Sequence, residues 1–177
     1  MNEGKVELTD QWPVIRFERQ FAQPVERVWA AVTEPAQLAE WLAYADVELH
    51  PGGRFELQFH HRDDATKSLG QVTAVETNRM LEFTWYPDKL GDSRVRIELT
   101  PNEHGCLLVL THAFPESYGI PETLGGWHVH LDALRAQLTG EPYDLNTAPW
   151  RSVLAHYRGG SSPPAQQSAS ASRPNRP

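Results

Sequence analysis

The alternation of apolar and polar residues near the start of the chain predicts one strand followed by two short helices. Positions 14–21 alternate, with Ile15, Phe17 and Phe21 on one face, which is typical of a half-buried strand. Pro24 suits the first position of a helix. The first helix then repeats apolar residues at helical spacing: Val25, Val28, Trp29 and Val32. The second begins near Pro35 and has Leu38, Trp41 and Leu42 on one side.

The middle of the chain is rich in strands. Strict alternation over 54–59 follows a turn signal at Pro51-Gly52-Gly53. Further strands are predicted at 70–75, 81–85, 95–99 and 106–112, with turns between them. The last strand is apolar on both faces, so either the chain covers both faces or one face meets a partner.

The longest helical pattern comes after all the strands. It consists of Trp127, Leu131, Leu134 and Leu138, and a further short helix is predicted from Pro149. Strands in one run followed by a segregated helix imply an α+β fold with an antiparallel sheet. An amphipathic helix that arrives last has the apolar face of that sheet to cover. A twisted sheet that curls round a helix can leave a pocket between them.

Composition and charge exclude several classes of function. The 177 residues include 16 basic and 23 acidic side chains, a net charge of −7. This charge argues against a nucleic-acid binder and against docking on an anionic membrane. No apolar run is long enough to span a bilayer, and the polar N-terminus has no signal-peptide core, so we expect a cytoplasmic protein. The single cysteine, Cys106, excludes an intrachain disulfide and a cysteine-based zinc cluster. We expect no metal and no cofactor.

The chain divides into four segments by composition and pattern. Residues 1–12 are interpreted as an N-terminal extension, 13–140 as the main domain, 141–158 as a short additional helix and 159–177 as a disordered tail. The tail is rich in serine and proline and has no aliphatic residue larger than alanine, so it cannot bury enough apolar surface to offset its ordering entropy. Without it, 14 basic face 23 acidic side chains, a net charge of −9.

Five local motifs, in this order, resemble a known family. They are FERQFAQPVERVWAAVTEPAQLAEWL from Phe17, PGGRFEL from Pro51, LEFTW from Leu81, LLVLTHAF from Leu107 and GGWHVHLDAL from Gly125. Together they resemble the START/SRPBCC superfamily and, within it, the C-terminal-domain-like family named after the activator of Hsp90 ATPase, as a bacterial single-domain member. The resemblance covers about residues 13–140.

The resemblance implies a fold and a range of functions. The fold is the helix-grip fold, in which a curved antiparallel sheet of six to seven strands wraps around a long C-terminal helix, with two short helices after the first strand. Relatives bind lipids, hormones or polyketides in the cavity between sheet and helix, and a few are enzymes. The co-chaperones that give the family its name carry a further N-terminal domain with an asparagine- and tryptophan-rich motif, which is absent from this sequence.

The candidate cavity residues share an inward position on the predicted strands or on the long helix. They are Trp41, Phe55, Leu57, Phe59, His61, Phe83, Trp85, Ile97, Leu110, His112, Trp127, His130, Leu131 and Leu134. Tryptophan rings offer large apolar contact and an N–H that can orient a ligand, although the same rings could simply fill the core. His112 could be a proton carrier, a ligand hydrogen-bond donor or a satisfied core histidine.

The other histidines point to weaker sites. His128 and His130 would diverge on a helix, because positions i and i+2 lie about 200° apart, so a shared metal is not expected. We expect His130 to face the groove and His128 to be solvated. His61 shares the parity of Phe59 and lies either at the cavity mouth or in a loop.

Three functional hypotheses follow. The first is binding of a small apolar or aromatic molecule in the cavity, without a recognisable catalytic constellation. The second is a protein-interaction module, either a homodimer or a chaperone-linked protein of the stress response, motivated by the two-faced apolar strand. The third is a cyclase or hydrolase that acts through His112 or His130.

Overall fold

The computed structural model describes residues 3–9, 11–59, 67–85, 93–115 and 119–160. The strands are β1 (Lys5–Leu8), β2 (Pro13–Phe21), β3 (Tyr44–Val47), β4 (Phe55–Gln58), β5 (Lys67–Ser68), β6 (Val72–Glu76), β7 (Met80–Trp85), β8 (Ser93–Asn102) and β9 (Gly105–Ala113). The helices are α1 (Val25–Thr33), α2 (Pro35–Trp41), α3 (Ile120–Thr139) and α4 (Trp150–Gly160). The expected α+β helix-grip fold, with two short helices early and a long helix after the strands, is confirmed.

Six strands form the large sheet, in the order β1-β2-β9-β8-β7-β6 with every neighbour antiparallel. The register lines up inward-facing side chains in rows across the strands. One row joins Ile15, His112, Val95 and Phe83. The next joins Phe17, Leu110, Ile97 and Leu81. All of these side chains are buried, and each full burial of a large apolar side chain stabilises the fold by about 1.5–3 kcal/mol.

The outward side of β9 explains its apolar pattern. Cys106, Leu108, Leu110 and His112 are buried, whereas the outward residues of the strand are half-buried. Val109 lies between Glu18 of β2 and Glu98 of β8, and Arg16 and Arg96 form ion pairs with these two glutamates. Flanking charged side chains therefore shield this row in part. A homodimer or chaperone contact there stays a prediction.

A second sheet, β3-β4-β5, continues the large one around the core. The turn predicted at Pro51–Gly53 joins the two sheets, because the N–H of Val72 donates to the carbonyl of Gly53 and the N–H of Gly52 donates to that of Val72. Gly52 has a φ of 84°, a left-handed conformation that glycine adopts at little cost. The sheet can therefore curve around the helix.

Helix α3 lies between the large sheet and α4. Five consecutive residues, 127–131, are buried, which a helix packed on one face alone would not produce. The helix begins at Ile120, before the glycine pair where the sequence pattern started, and Gly125 lets α4 approach closely: a Cβ added there would lie 3.7 Å from the Leu154 Cα. The weak amphipathic pattern of the first turns thus follows from burial on two sides.

The sequence pattern did not predict the edge strand β1. Lys5–Leu8 pairs with Pro13–Arg16 although the expectation for residues 1–12 was an extension outside the sheet. Lys5, Val6 and Glu7 are all exposed, so backbone pairing with β2 holds this part of the strand and these three residues show no periodicity of burial.

Candidate functional site

Five aromatic side chains meet at one end of the interface between the large sheet and α3. We call them the aromatic cluster: Phe59, Trp85, His112, Phe114 and Trp127. They lie at or just beyond the ends of β4, β7 and β9 and in α3. The antiparallel register brings the end of β7, the start of β8 and the end of β9 to the same end of the sheet. Residues remote in sequence thereby form one surface.

Trp85 is the centre of the cluster. Its ring centroid lies 5.5 Å from that of Trp127 in an edge-to-face arrangement, 5.7 Å from that of Phe59 and 5.9 Å from that of His112. Aromatic pairs at such separations contribute about 0.5–1.5 kcal/mol each beyond the burial of their area. Trp85 is half-buried while the other four members are buried, so it is the member most accessible to solvent.

A chain of hydrogen bonds fixes the polar atoms of the cluster. The indole N–H of Trp127 donates to Nδ1 of His112 at 3.0 Å. Nε2 of His112 lies 2.9 Å from Oγ of Ser93, which donates to the carbonyl oxygen of Trp85 at 2.7 Å. Because Nδ1 accepts and the Ser93 hydroxyl proton is used on the carbonyl, the Nε2–H of a neutral imidazole completes the chain.

His112 is therefore held in its neutral form. Burial lowers the pKa of His112 from its ordinary 6.5 to about 3, since the charged ring would lose its hydration. Both ring nitrogens already take part in hydrogen bonds within the protein. This arrangement orients the Trp127 indole, and it matches the interpretation of His112 as a core histidine at the wall of the groove better than that of a proton carrier.

His130 connects the cluster to the two neighbouring helices. Its Nδ1–H donates to the carbonyl oxygen of Trp41 at 2.8 Å, and the Trp41 indole donates to the carbonyl of Ala31 at 2.9 Å. The His130 ring lies 5.4 Å from that of Trp150 on α4 and 6.1 Å from that of Phe59. His130 is buried, as an inward position requires, whereas its place in a ligand groove stays a prediction.

Most of the remaining candidate residues lie in the hydrophobic core beneath α3. Those that are buried are Trp41, Phe55, Leu57, Phe83, Ile97, Leu110, Leu131 and Leu134. Phe55 and Phe83 stack with ring centroids 3.8 Å apart. His61 falls outside the described residues. A role of any of these side chains in ligand binding stays a prediction.

The profile of one protein family, described as Activator of Hsp90 ATPase homolog 1-like protein, matches residues 22–139, about two thirds of the chain. This chain belongs to that family. This membership agrees with the resemblance of the sequence motifs to the START/SRPBCC superfamily, and ligand binding stays a prediction. No curated protein matches the chain significantly.

Solved structures similar to this family member support the fold. CalU16 from Micromonospora echinospora is 24% identical, with a TM-score of 0.70, over 89% of this chain and 92% of that one. MLL2253 from Mesorhizobium loti is 27% identical, with a TM-score of 0.66, over 73% of this chain and 99% of that one. DynU16, a protein in the dynemicin biosynthetic locus, is 24% identical, with a TM-score of 0.66, over 75% of this chain and 50% of that one.

Helix α4 lies beyond the family match and corrects the expectation for His128. This side chain is buried rather than solvated, because α4 covers the outer side of α3. Its Nδ1 lies 2.8 Å from the hydroxyl of Tyr157, which also accepts the backbone N–H of Gly4 at 3.0 Å. Its Nε2 lies 3.5 Å from Oδ2 of Asp132. His128 and His130 thus diverge to α4 and α2, as expected for a helix.

The sequence reading missed one charged side chain, Arg19. Counted by alternation, Arg19 falls on the inward face of β2 with Ile15, Phe17 and Phe21, and it is only 2% exposed. The alternation of β2 was the available signal. The sequence analysis, however, placed only the apolar residues on the inward face.

A separate shallow groove of about 240 Å³ lies on the small sheet. Tyr44, Asp46, Gln58, Lys67 and Leu69 are among its lining residues. Two of them, Tyr44 and Leu69, are more than half exposed. This groove belongs to the surface and not to the aromatic cluster.

Neither a membrane-spanning helix nor a metal cluster is found among the described residues. No described helix is long and apolar enough to cross a membrane. Among the same residues, no group of three or more histidine, cysteine, aspartate or glutamate side chains is arranged to hold a metal ion.

Proposed function

We propose that this protein binds a small apolar or aromatic molecule in the groove between the large sheet and α3, against the aromatic cluster. The observation that carries the proposal is the hydrogen-bond chain from Trp127 through His112 and Ser93 to the carbonyl of Trp85. Aromatic rings held rigidly in this way present apolar surface that needs little ordering when a ligand arrives.

The state of His112 supports binding over the alternative of a cyclase or hydrolase. A general base works best with a pKa near the working pH and a free lone pair. The pKa of His112 is lowered to about 3, and its Nδ1 lone pair accepts the Trp127 indole N–H. The membership of DynU16 in a biosynthetic locus is consistent with a small organic molecule as the partner.

The proposal can be tested with a neutral fluorescent probe, N-phenylnaphthylamine, which brightens in apolar sites. We expect saturable binding to the wild type and binding weakened by about two- to twelvefold in Trp85→Ala, the equivalent of the 0.5–1.5 kcal/mol of an aromatic contact. The matched control is Trp29→Phe, because Trp29 is buried on α1, which follows the opposite end of β2 from the cluster. Native mass spectrometry of the purified protein would detect a ligand that co-purifies.

Two results would contradict the proposal. One is the absence of saturable probe binding by a wild-type protein that is folded by circular dichroism. The other is an equal loss of affinity in Trp85→Ala and Trp29→Phe, since binding that depends on general stability would not distinguish the two ends of the sheet.

A further inference from the structure

Arg19 is a buried cation on the inward face of the large sheet, which packs against α3. It lies between Phe17 and Phe21 in the inward row of β2 and opposite Leu108 of β9, and 2% of it is exposed. A charged side chain in this position is costly unless it is paired. The stability of this position therefore depends on the hydrogen-bond partners of the guanidinium group.

Only one side of the guanidinium is satisfied. Nη1 donates to the carbonyl of Glu18 at 3.0 Å, and Cζ lies 5.2 Å from the centroid of the Phe17 ring. Nε and Nη2 are buried and have no hydrogen-bond partner among the described residues. Nε–H and one N–H of Nη2 point in parallel, and this pair is the fork that arginine offers to both oxygens of a carboxylate.

Asp132, the acidic side chain that acts most strongly on the charge of Arg19, is engaged elsewhere. Oδ1 of Asp132 lies 3.5 Å from Nη2 of Arg135, and Oδ2 lies 3.5 Å from Nε2 of His128. No ion pair joins Asp132 to Arg19 within the described part of the chain. Burial lowers the pKa of Arg19, Asp132 and Tyr157 act in the opposite direction, and Arg135 lowers it further. Asp132 therefore lies near two arginines but forms an ion pair only with the exposed one, Arg135.

Elsewhere the same fork holds a carboxylate in this protein. Nε and Nη2 of Arg16 donate to Oε1 of Glu18 at 3.1 and 2.8 Å. Nε and Nη2 of Arg158 donate to Oε1 of Glu122 at 3.2 and 2.6 Å. Both of these pairs lie on the surface, where an ion pair contributes little. Of these three forks, only the buried one has no carboxylate partner among the described residues.

We infer that the ligand is a carboxylic acid whose carboxylate binds Nε and Nη2 of Arg19, while its apolar body lies along the groove toward the aromatic cluster. The inference rests on the proposed function and adds the chemical class of the ligand. Arg19 is four residues from Ile15, the partner of His112, so the two ends of the site are about 13 Å apart along the strand. An elongated amphipathic acid fits this spacing. At Arg19 the strand lies beyond the end of β1, and the exposed Arg135 adds a second positive charge that acts on Arg19.

The first test uses the wild-type protein and two probes that differ in one group. Dansyl-undecanoic acid carries a carboxylate and a fluorescent aromatic group. Its methyl ester keeps the aromatic group but is uncharged, and one of its two oxygens carries a methyl group that prevents bidentate contact with the arginine. We expect the acid to bind about tenfold or more tightly than the ester, since a charge-assisted bidentate contact is lost in the ester. Equal affinities for acid and ester would overturn the inference.

The second test uses the same substitution on the two faces of β2. In Arg19→Met the preference for the acid should disappear, whereas in Arg16→Met, on the outward face, it should remain. Arg19→Met replaces a buried charge by an apolar side chain of similar length, so we expect it to fold with an unchanged or raised melting temperature. Arg19→Lys keeps the charge but not the fork, and we expect it to lose most of the preference. Retention of the full preference in both Arg19 variants would overturn the inference.

The remaining outcomes distinguish a failure of this inference from a failure of the proposed function. If N-phenylnaphthylamine binds but acid and ester bind alike, the proposed function stands and the inference falls. If no probe binds, both fall. If inorganic phosphate raises the melting temperature of the wild type and of Arg16→Met but not of Arg19→Met, without any acid preference, the fork takes an inorganic anion and the organic acid is excluded.

Discussion

Acidification should weaken this fold through His112. The pKa of His112 is about 3 in the folded protein because of burial, against an ordinary value of 6.5 that the unfolded chain retains. Between these two values the unfolded state binds a proton that the native state does not. The free energy of unfolding therefore falls as the pH falls through this window, and it is unaffected by His112 above it.

The size of the effect follows from the linkage relation. Each pH unit inside the window costs about 1.4 kcal/mol, so acidification from pH 6.5 to 5 removes about 2 kcal/mol. Domains of this size are stable by about 5–15 kcal/mol, so the loss is a sizeable fraction of the total. Asp132, whose pKa is raised by burial but lowered overall by His128 and the nearby arginines, loses its contribution only below its ordinary 3.8 and does not interfere.

Urea unfolding followed by far-UV circular dichroism at pH 7, 6 and 5 measures this loss. His112→Gln does not titrate, so the fall in its unfolding free energy from pH 7 to 5 should be smaller than that of the wild type by about 2 kcal/mol. The control is His104→Gln, since His104 lies exposed in the turn between β8 and β9, and we expect this variant to follow the wild type. Because His112→Gln disturbs the hydrogen-bond chain, its stability at pH 7 should be lower; the comparison concerns the slopes.

Parallel slopes for the wild type and His112→Gln would refute the reasoning. That result would mean that His112 takes up its proton in the folded protein at an ordinary pH, through access to water that its burial does not provide. It would also remove the ground for preferring binding over proton transfer at the aromatic cluster.

Three further predictions concern the fold around the site. Tyr157→Phe should destabilise the protein by about 1–2 kcal/mol and speed amide exchange at Gly4, because its hydroxyl accepts the Gly4 N–H and contacts His128; unchanged exchange would contradict the role of Tyr157 in holding the N-terminal segment. Leu131→Ala should cost about 2–5 kcal/mol in urea unfolding, since Leu131 is fully buried, and a cost below 1 kcal/mol would indicate a loosely packed groove. Gly105→Ala should lower the melting temperature, because φ is 113° and a Cβ would meet the carbonyl oxygen of Phe21, whereas Gly126→Ala, with open space around it, should raise it slightly; the same sign for both would contradict this.

Much of the fold could be predicted from local periodicity. The alternation in β2, β7 and β8 and the spacing of Trp127, Leu131 and Leu134 depend only on which face of an element is buried, and each residue in such a pattern carries that information itself. The turn at Pro51–Gly53 is of the same kind, since the backbone freedom of glycine is a local property. In the edge strand β1, Lys5, Val6 and Glu7 are all exposed, so these residues carry no pattern of this kind.

What the tertiary structure decided is the set of partners. The sequence placed His112 on an inward face, but only the pairing of β8 with β9 and the packing of α3 brought Ser93 and Trp127 to its two ring nitrogens. Packing of α4 buried His128, which the pattern of α3 alone had assigned to solvent.

Arg19 shows most clearly the difference between what the sequence predicts and what the tertiary structure decides. Its parity in β2 is readable from the sequence, whereas the open state of its fork depends on Asp132 turning to Arg135 and His128. Periodicity is a property of one segment, and hydrogen bonds and ion pairs join segments that are far apart in the chain. The sequence by itself therefore determined the family and most of the elements that have one buried face, and the three-dimensional packing decided which polar groups are satisfied and which have no partner among the described residues.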